Sequence, residues 1–343
     1  PTRRSSDLGS LLFSNEPMRT RSQILAENIQ KFGHPDMIVT NNYPRDYKKS
    51  KLQFDVILTD VPCSGEGMFR KDEVAVQEWS IENVDTCWQR QRRILRDIWP
   101  CLKTGGLLIY STCTYNREEN EDNVAWIAQE LGAEILPLET QPDWHITGNL
   151  TGTEFPVYRF LPHKTTGEGL FMAVLRKTAD EPAVSVRTKT GGKASKKGKG
   201  GKVVVLQVPK EMKAWVQGAG DYVFEVNDSE AMAFPAAYKD TYDLLKSQLR
   251  ILHAGISLGE LKGKDWQPSH ALAMSTAFEK ESFPMAELTY SQAIAYLRKE
   301  AVVLSPEVPR GYVTLTYQGQ VLGFAKNIGN RANNLYPQEW RIR

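Results

Sequence analysis

The sequence predicts an α/β fold in its first half and a smaller mixed α+β region in its second half. Two observations lead to this prediction. Apolar stretches of strand length alternate with amphipathic stretches of helix length along the first half, which is typical of βαβ units in a mainly parallel sheet. A lysine- and glycine-rich segment, residues 188–202, then separates this half from the remainder, and its composition is typical of a linker.

Each element of the first half follows from hydrophobic periodicity and from its flanking residues. The predicted strands are Ser10–Asn15, Asp36–Thr40, Phe54–Thr59, Leu107–Ser111, Glu134–Leu138 and Gly169–Leu175. The predicted helices are Arg19–Lys31, Ile81–Leu102 and Asn116–Leu131. We expect Lys103–Gly106 to end the second helix as a glycine C-cap. We expect the acidic residues Glu118, Glu119 and Glu121 in the first turns of the third helix, where the helix dipole favours negative charge.

The start of the chain departs from a complete nucleotide-binding fold. Such folds open with a strand, a glycine-rich turn and a helix. Nothing before Ser10 supplies these elements, so we expect the sheet to begin at its second strand. The segment 1–8 opens with Pro1 and we interpret it as a non-native leader. The predicted divisions are the leader 1–8, a partial α/β domain 9–180, a linker 181–202 and a second region 203–343.

The second region ends in a tail that suits contact with RNA. Its predicted elements are the helices Asp240–Leu252 and Ser291–Lys299 and the hairpin strands Gly311–Leu315 and Val321–Ala325. The tail, residues 326–337, interleaves amides, basic groups and an aromatic ring. Cations pair with phosphates, amides meet base edges and rings stack on bases. An ordinary polar loop on a small barrel explains the same residues equally well, so both interpretations stay open.

Composition and charge exclude several classes of protein. The 343 residues carry 43 basic and 41 acidic side chains, so any nucleic-acid surface must be local. No apolar run reaches membrane-spanning length, and the polar start lacks the apolar core of a signal peptide. The four cysteines show no C-x-x-C spacing, which favours reduced cytoplasmic thiols over disulfides or a zinc site. We expect a cytoplasmic monomer without a metal.

Two predicted strands each deliver a cysteine at their C-terminal end. Cys63 lies in Asp60–Gly67, and Cys113 lies in Ser111–Tyr115. In an open α/β sheet, such strand ends form the crevice in which ligands bind. A thiolate there can add to carbon 6 of a cytosine ring, which makes carbon 5 nucleophilic enough to take a methyl group. A second cysteine can assist release of the adduct, and Asp60 can hydrogen-bond the ring and help neutralise its developing charge.

The residues around both cysteines resemble a known family. D-V-P-C-S-G-E-G-M-F at 60–69 and Y-S-T-C-T-Y-N-x-E-E-N-E at 110–121 resemble the Sun/Fmu RNA 5-methylcytosine methyltransferases, especially the RsmF (YebU)-like ribosomal-RNA branch. The resemblance implies a Rossmann-like domain that binds S-adenosylmethionine. It implies that Cys113 is the nucleophile and that Cys63 promotes product release. It also places Glu16 on the cofactor ribose and Asp60 in the same pocket.

The resemblance extends beyond the cysteine motifs. Arg159–His163 with Gly167–Gly169 resembles the closing segment of the family's catalytic domain, and K-N-x-G-N-R-A-N-N-L-Y-P at 326–337 resembles its PUA-like RNA-binding region. Two features depart from the family pattern. The A-P-G-G-K loop, which cradles the methionine end of the cofactor, has no counterpart here. Residues 41–43 (N-N-Y) stand where the family has an acid near the adenine, although an amide can also hydrogen-bond an adenine edge.

The resemblance therefore implies a cytosine-C5 methyltransferase that uses S-adenosylmethionine and acts on ribosomal RNA, of the 16S type. The residues expected to contact RNA are Arg70, Lys71, His163, Lys326 and Arg331. Two alternatives stay open. The chain could be an RNA-binding protein with an incomplete, inactive methyltransferase domain, or it could perform the same chemistry on transfer RNA. Cys87 and Cys101, on the predicted long helix, are interpreted as core residues.

Overall fold

The computed structural model describes residues 9–178 and 207–343. These residues form two compact units, one from the described parts of 1–42 and 195–343 and the other from those of 43–194. The expected leader 1–8 and linker 181–202 lie outside the described residues. Within the two described ranges, no helix has both the length and the apolar character needed to cross a membrane.

The first unit opens with a strand, a helix and a second strand, as the sequence predicts. β1 is Leu12–Asn15, α1 is Arg19–Phe32 and β2 is Met37–Thr40. α1 ends at Gly33, which takes a left-handed φ of 75° and donates its N–H to the carbonyl oxygen of Ile29 at 3.0 Å. A Cβ at Gly33 would lie 2.0 Å from the carbonyl oxygen of Met274, so this turn requires glycine.

β1 and β2 pair in parallel, and β2 also pairs antiparallel with Ile251–Ala254 from the C-terminal half. All four residues of β2 are buried, so both of its edges need hydrogen-bond partners, and the C-terminal strand provides the second one. The two opening strands, which the predicted partial domain 9–180 includes, belong to the same compact unit as the C-terminal half.

The second unit contains a mixed sheet with helices. Its elements are α2 (Pro44–Ser50), β3 (Phe54–Asp60), α3 (Glu73–Glu78), α4 (Ile81–Ile98), β4 (Leu102–Thr112), α5 (Glu121–Glu130), β5 (Ala133–Leu136), β6 (Tyr158–Phe160) and β7 (Leu170–Lys177). The sheet order is β3-β4-β7-β5, and β6 pairs with β7. Apolar side chains of β4 and β7, including Leu108, Tyr110 and Phe171, are fully buried with Leu95 of α4 and Ile127 of α5.

Strand directions in this unit agree with the expectation of a mainly parallel sheet, with β7 as the exception. β3 and β4 are parallel, and β7 runs antiparallel to β4, β5 and β6, so β3, β4, β5 and β6 all run in one direction. A parallel neighbour needs a crossover connection, usually a helix. α5 supplies one between β4 and β5, whereas β7 follows β6 without an intervening α-helix and inserts between β4 and β5 in the opposite direction.

α4 ends earlier than predicted, and the glycine C-cap does not exist. Pro100 has no amide hydrogen for a helical bond. The chain therefore tightens into a 3₁₀ turn, Trp99–Cys101, and enters β4 at Leu102. Residues 103–106 consequently lie inside the strand. Cys87 on α4 and Cys101 in the 3₁₀ turn are both buried, as expected for core residues.

α5 begins at Glu121 rather than at Asn116. The side-chain Oδ1 of Asn116 accepts the amide hydrogen of Glu119 at 2.9 Å, and such a side-chain-to-backbone bond favours a turn over continued helix. Glu118 and Glu119 therefore precede the helix, and only Glu121 of the three predicted acids lies in its first turn.

The C-terminal half of the first unit is rich in strands. It contains α6 (Lys210–Lys213), β8 (Tyr222–Asn227), β9 (Glu230–Pro235), α7 (Lys239–Lys246), β10 (Ile251–Ala254), β11 (Ile256–Lys262), β12 (Asp265–Pro268), α8 (His270–Met274), β13 (Met285–Glu287), α9 (Tyr290–Leu297), β14 (Gly311–Tyr317), β15 (Gln320–Asn327) and β16 (Ala332–Asn334). Two sheets have the orders β12-β11-β9-β8 and β13-β14-β15-β16. The predicted β14–β15 hairpin is confirmed. The predicted helix Asp240–Leu252 is too long, because the chain leaves α7 at Lys246 and enters β10.

Candidate active site

The C-terminal ends of β3 and β4 bring the two cysteine loops together. Because these strands pair in parallel with Asp60 opposite Ser111, the loops that follow them begin side by side. Sγ of Cys63 lies 2.9 Å from Sγ of Cys113, and both residues are free thiols that are partly exposed. The prediction that two strand ends deliver two cysteines to one place is confirmed by this distance.

The two thiols are not equivalent. The pKa of Cys113 is lowered, because the Cys63 thiol donates a hydrogen bond to its sulfur. The pKa of Cys63 is raised, first because its proton is held in that bond and second because the side chain is largely removed from water. Hydrogen bonding to the charged form of a group favours ionisation. The pair therefore favours a thiolate on Cys113 and a protonated thiol on Cys63.

Glycine lets the two cysteine loops touch through their backbones. The amide of Gly67 donates to the carbonyl oxygen of Cys113 at 2.8 Å. A Cβ at Gly67 would lie 2.6 Å from that oxygen and 3.0 Å from the carbonyl oxygen of Gly169. A Cβ at Gly169 would in turn lie 2.1 Å from the hydroxyl of Tyr115. An added Cβ would require a shift of the backbone at Gly67 and a shift of the Tyr115 ring at Gly169.

Glu66 ties the first cysteine loop to the second. Its Oε2 accepts the backbone amides of Tyr115 at 2.7 Å and Asn116 at 2.9 Å. Its Oε1 accepts the indole N–H of Trp79 at 3.0 Å. A carboxylate that accepts backbone amides makes charge-assisted hydrogen bonds, which are stronger than neutral ones. The glutamate of the D-V-P-C-S-G-E-G motif therefore fixes the position of the chain after Cys113.

A second acid, Glu119, is fully buried behind the cysteines. Its carboxylate accepts the backbone amide of Ser64, at 3.1 Å to Oε2, and the side-chain amides of Gln91 at 2.6 Å and Asn116 at 2.7 Å. The sequence pattern predicted Glu119 in the first turns of a helix and indicated no role for it at the site. Glu119 belongs to the E-E-N-E run at 118–121, but a run of acids in a sequence does not distinguish a buried acid from a solvated one.

A third acid, Glu121, anchors the same region through a buried ion pair. Both its oxygens accept from Arg159 of β6, with Nε at 2.9 Å from Oε1 and Nη2 in a shorter bond to Oε2. Arg159 also donates from Nη1 to the carbonyl oxygen of Tyr115 at 2.9 Å. The R-F-L-P-H segment therefore contributes an arginine that holds the chain beyond Cys113, a contact that the sequence pattern could not specify.

The two predicted cofactor-binding residues lie in different units. Asp60 is the last residue of β3 and is exposed, so its carboxylate is available to accept hydrogen bonds from a ligand. Glu16 follows β1, where its Oε1 accepts the amide of Met18 at 2.8 Å and its Oε2 lies 3.1 Å from Nη2 of Arg21. Asp60 fits a ligand-binding role as it stands. The carboxylate of Glu16 is engaged by its own loop and would bind a ligand hydroxyl only in competition with Arg21.

Residues 41–43 stand where the resembled family has an acid near the adenine. The side chains of Asn41 and Asn42 also make hydrogen bonds within the protein. The side-chain amide of Asn41 donates to the carbonyl oxygens of Glu16 at 2.8 Å and Pro17 at 2.9 Å. The side-chain amide of Asn42 donates to the carbonyl oxygen of Arg250 at 3.2 Å. Both amides therefore brace loops of the first unit.

Three of the predicted RNA-contacting residues lie on the surface of the second unit. Arg70 and Lys71 are exposed and follow the 3₁₀ turn Glu66–Met68 in the first cysteine loop, with Nε of Arg70 4.0 Å from Glu168 Oε2. His163 is exposed and lines a shallow depression of about 540 Å³ with a neighbouring lysine and a second histidine, at positions 164 and 145. Basic and imidazole groups on an open surface are suited to phosphate contact.

The other two lie in the first unit. Lys326, on β15, lies with Nζ 3.4 Å from Asp265 Oδ2 and 5.1 Å from the ring centre of Tyr312. Arg331, just before β16, is exposed. The predicted tail is thus partly strand, because β16 pairs with β15, and a plain polar loop is the wrong description of it.

Two family models match parts of this chain. The family model of the 16S rRNA methyltransferase RsmB/F matches residues 7–176, and that of the methyltransferase RsmF PUA domain matches residues 283–342. Ribosomal RNA small subunit methyltransferase F of Enterobacter sp. (strain 638) is 31% identical over 334 residues, which cover 96% of this chain and 67% of that protein. The protein of the same name from Vibrio cholerae (strain M66-2) is 28% identical and covers 97% and 69%.

Solved structures match about half of this chain. The crystal structure of NSun6 from Pyrococcus horikoshii with SFG is 25% identical, covers 50% of this chain and 42% of that chain, and has a TM-score of 0.42. A methyltransferase homolog protein from the same organism is 26% identical, covers 49% and 53%, and has a TM-score of 0.39. On its identity to the curated relatives across nearly its whole length, this chain belongs to the RsmB/F family of 16S rRNA methyltransferases.

Proposed function

We propose that this protein transfers a methyl group from S-adenosylmethionine to carbon 5 of a cytosine in small-subunit ribosomal RNA. The observation that carries the proposal is the 2.9 Å contact between Cys63 and Cys113, in which one thiol stabilises the thiolate of the other. The names of the curated relatives, ribosomal RNA small subunit methyltransferase F, support ribosomal RNA as the substrate.

Cys113 is the nucleophile. Its thiolate forms a bond to carbon 6 of the cytosine, and the electron pair of the 5,6 double bond moves towards carbon 5. S-adenosylmethionine, when bound, supplies the methyl group that carbon 5 accepts. The lowered pKa of Cys113 increases the thiolate fraction near neutral pH. Asp60, exposed at the end of β3, accepts a hydrogen bond from the exocyclic amino group of the cytosine and so helps to orient the ring.

Cys63 acts in product release. After methyl transfer, carbon 5 still carries a proton, and removal of that proton restores the double bond and expels the sulfur of Cys113. Cys63 lies in hydrogen-bond contact with the attacking sulfur, so it is close to the adduct. The bond from Cys113 to carbon 6 consumes the thiolate whose hydrogen bond raises the pKa of Cys63. Cys63, which is partly exposed, can then give its proton to solvent and, as a thiolate, take the proton from carbon 5.

Cofactor and RNA are held by different parts of the chain. Asp60 and, after release from Arg21, Glu16 are the candidates to hold S-adenosylmethionine. Arg70, Lys71 and His163 contact RNA near the catalytic loops. Lys326 and Arg331 lie in the region that matches the PUA domain, and they add affinity. We expect the protein to act as a monomer in the cytoplasm, where the thiol pair stays reduced.

The test is methyl transfer from labelled S-adenosylmethionine to unmodified small-subunit ribosomal RNA, with identification of 5-methylcytosine by nucleoside mass spectrometry. The expected result is labelled 5-methylcytosine with the wild-type chain and none with Cys113→Ala. Transfer RNA is run in parallel, and label found only there would replace the proposed substrate with transfer RNA. Binding of ribosomal RNA without methyl transfer to either RNA would contradict the proposal and favour the RNA-binding alternative.

A further inference from the structure

We propose that the buried carboxylate of Glu119 is a positioning residue that holds the Cys63 thiol in hydrogen-bond contact with the Cys113 sulfur. The inference deepens the proposed function, because it concerns the same cysteine pair. Glu119 touches neither sulfur through any hydrogen bond of the described residues, so it acts through the two loops that carry them. Three sets of contacts support this role.

The first set fixes Cys63 from both sides. The backbone amide of Ser64, the residue after Cys63, donates to Oε2 of Glu119 at 3.1 Å and to Oε1 at 3.3 Å. The side-chain amide of Gln91 donates to Oε2 at 2.6 Å and also to the carbonyl oxygen of Pro62, the residue before Cys63, at 3.0 Å. Both chain neighbours of Cys63 are therefore tied to one carboxylate.

The second set extends the same attachment to Cys113. The side-chain amide of Asn116 donates to Oε1 of Glu119 at 2.7 Å, to Oγ1 of Thr114 at 3.1 Å and to Oγ of Ser64 at 3.2 Å. The hydroxyls of Ser64 and Thr114 lie 2.9 Å apart. Ser64 follows Cys63 and Thr114 follows Cys113. The two loops are therefore joined by a hydroxyl contact at the residues next to the two sulfurs.

The third set supports Gln91 from behind. Its Oε1 accepts the hydroxyl of Tyr110 at 3.0 Å and the side-chain amide of Asn123 at 2.7 Å. The hydroxyl of Tyr110 also donates to the carbonyl oxygen of Glu119 at 2.6 Å. Because Gln91, Tyr110, Glu119 and Asn123 are fully buried, each needs partners inside the protein. The network therefore has little freedom to rearrange.

The chemistry of the acceptor explains why a carboxylate stands at this point. An ionised carboxylate only accepts hydrogen bonds and offers acceptor sites on both oxygens, and the donors here approach both of them. A glutamine would turn an NH₂ group towards either the amide of Gln91 or that of Asn116. One donor would then face another, and at least one tie between the loops would break.

A positioning role of Glu119 and simple repulsion by its charge predict opposite effects on the pKa of Cys113. The negative charge of Glu119 raises the pKa of Cys113 through space, whereas the bond from Cys63, which Glu119 holds in place, lowers it. Loss of the charge alone would therefore lower the pH at which Cys113 ionises. Loss of the Cys63 contact would raise it. The direction in which Glu119→Gln shifts the pKa of Cys113 separates the two effects. If Glu119 only stabilises the fold, the pKa of Cys113 stays unchanged.

The experiment measures the pH dependence of alkylation of Cys113 by iodoacetamide, read at the Cys113 peptide by mass spectrometry, without RNA or cofactor. The variant is Glu119→Gln, and the matched control is Glu118→Gln, which removes the same charge from an exposed neighbour. The expected result is a rise of the midpoint by about 1 pH unit in Glu119→Gln and no shift in Glu118→Gln. An unchanged or lowered midpoint in folded Glu119→Gln would overturn the proposal.

Two further measurements keep the proposal testable. Asn116→Ala removes the tie between Glu119 and the Cys113 loop without changing a buried charge, and it should raise the midpoint by less than Glu119→Gln does. If Glu119→Gln does not fold, an unchanged midpoint in Asn116→Ala overturns the inference. In a Cys63→Ala background, Glu119→Gln should produce no rise, since the bond it protects is already gone. A rise of the same size there would show that Glu119 does not act through Cys63.

The outcome is independent of methyl transfer. A raised midpoint together with failure of the methylation assay leaves the positioning role in place and removes the proposed reaction. Successful methylation with an unchanged midpoint supports the proposed reaction and removes the positioning role of Glu119.

Discussion

The cysteine loops and the C-terminal tail hold their candidate functional groups in opposite ways. Next to the cysteines, Ser64, Thr114 and Glu119 are buried and hydrogen-bonded to one another's loops. In the tail, Arg331 is exposed, and the Lys326 side chain is 40% exposed beside an exposed aspartate. A covalent step requires reacting atoms held at a fixed distance. Attraction of phosphate by a cation is long-ranged and tolerates a mobile side chain.

The difference predicts which kinetic quantity each region controls. Substitutions around the cysteine loops should lower kcat, because they displace groups that act in the chemical step. Substitutions in the tail should weaken RNA binding and leave kcat at saturating RNA nearly unchanged.

The largest effect is expected for Cys113→Ala. Without the attacking sulfur the covalent route is closed, so kcat should fall by more than about 10³-fold while RNA binding is retained. The control is Cys87→Ala, which removes a buried sulfur of α4 outside the cysteine pair and should keep methyl transfer. Initial rates at saturating RNA measure both variants. Comparable rates in Cys113→Ala and the wild-type chain would contradict the assigned nucleophile.

A smaller effect is expected for Gly67→Ala. The added Cβ would meet the carbonyl oxygens of Cys113 and Gly169, both backbone atoms that cannot rotate away, so the two loops must separate. A displacement of this kind near reacting atoms lowers kcat by about 10²-fold. The control is Gly220→Ala, where nothing lies within 4 Å of the new Cβ. Equal rates for the two variants would show that the loops tolerate separation.

The smallest effects are expected for Lys326→Ala and Arg331→Ala. Each removes one cation, so RNA affinity should fall a few-fold and the slope of log affinity against log salt should decrease by about 1. Lys262→Ala, on β11 beside Glu260, is the surface control. Filter binding across a salt series gives the slopes. A lowered kcat with an unchanged salt slope would place these residues in the chemistry rather than in binding.

Sequence reasoning predicted the cysteine pair because the relevant information is local. A parallel strand pair ending in two cysteine motifs determines which side chains meet, and the distance between Cys63 and Cys113 agrees with that expectation. The bounds of β1, α1, β2, β3 and the β14–β15 hairpin follow from periodicity and glycine in the same local way. These elements required no knowledge of distant contacts.

The features that sequence reasoning missed depend on tertiary partners. Nothing near Glu119 in the chain indicates that Gln91, on another helix, will donate to its carboxylate. The direction of β7 and the pairing of β10 with β2 depend on how distant segments return to a sheet. Pro100 is a local signal for the end of α4, although the glycines that follow also fit the pattern of a C-cap.

The central claim is tested most directly by trapping the covalent intermediate. The Cys63→Ala variant is incubated with S-adenosylmethionine and unmodified small-subunit ribosomal RNA and run on a denaturing gel. If Cys113 attacks and Cys63 releases, a protein–RNA band should accumulate that is weak in the wild-type chain and absent in the Cys63→Ala, Cys113→Ala double variant. A band that persists in the double variant would contradict the account, as would its absence from a Cys63→Ala protein that binds RNA normally.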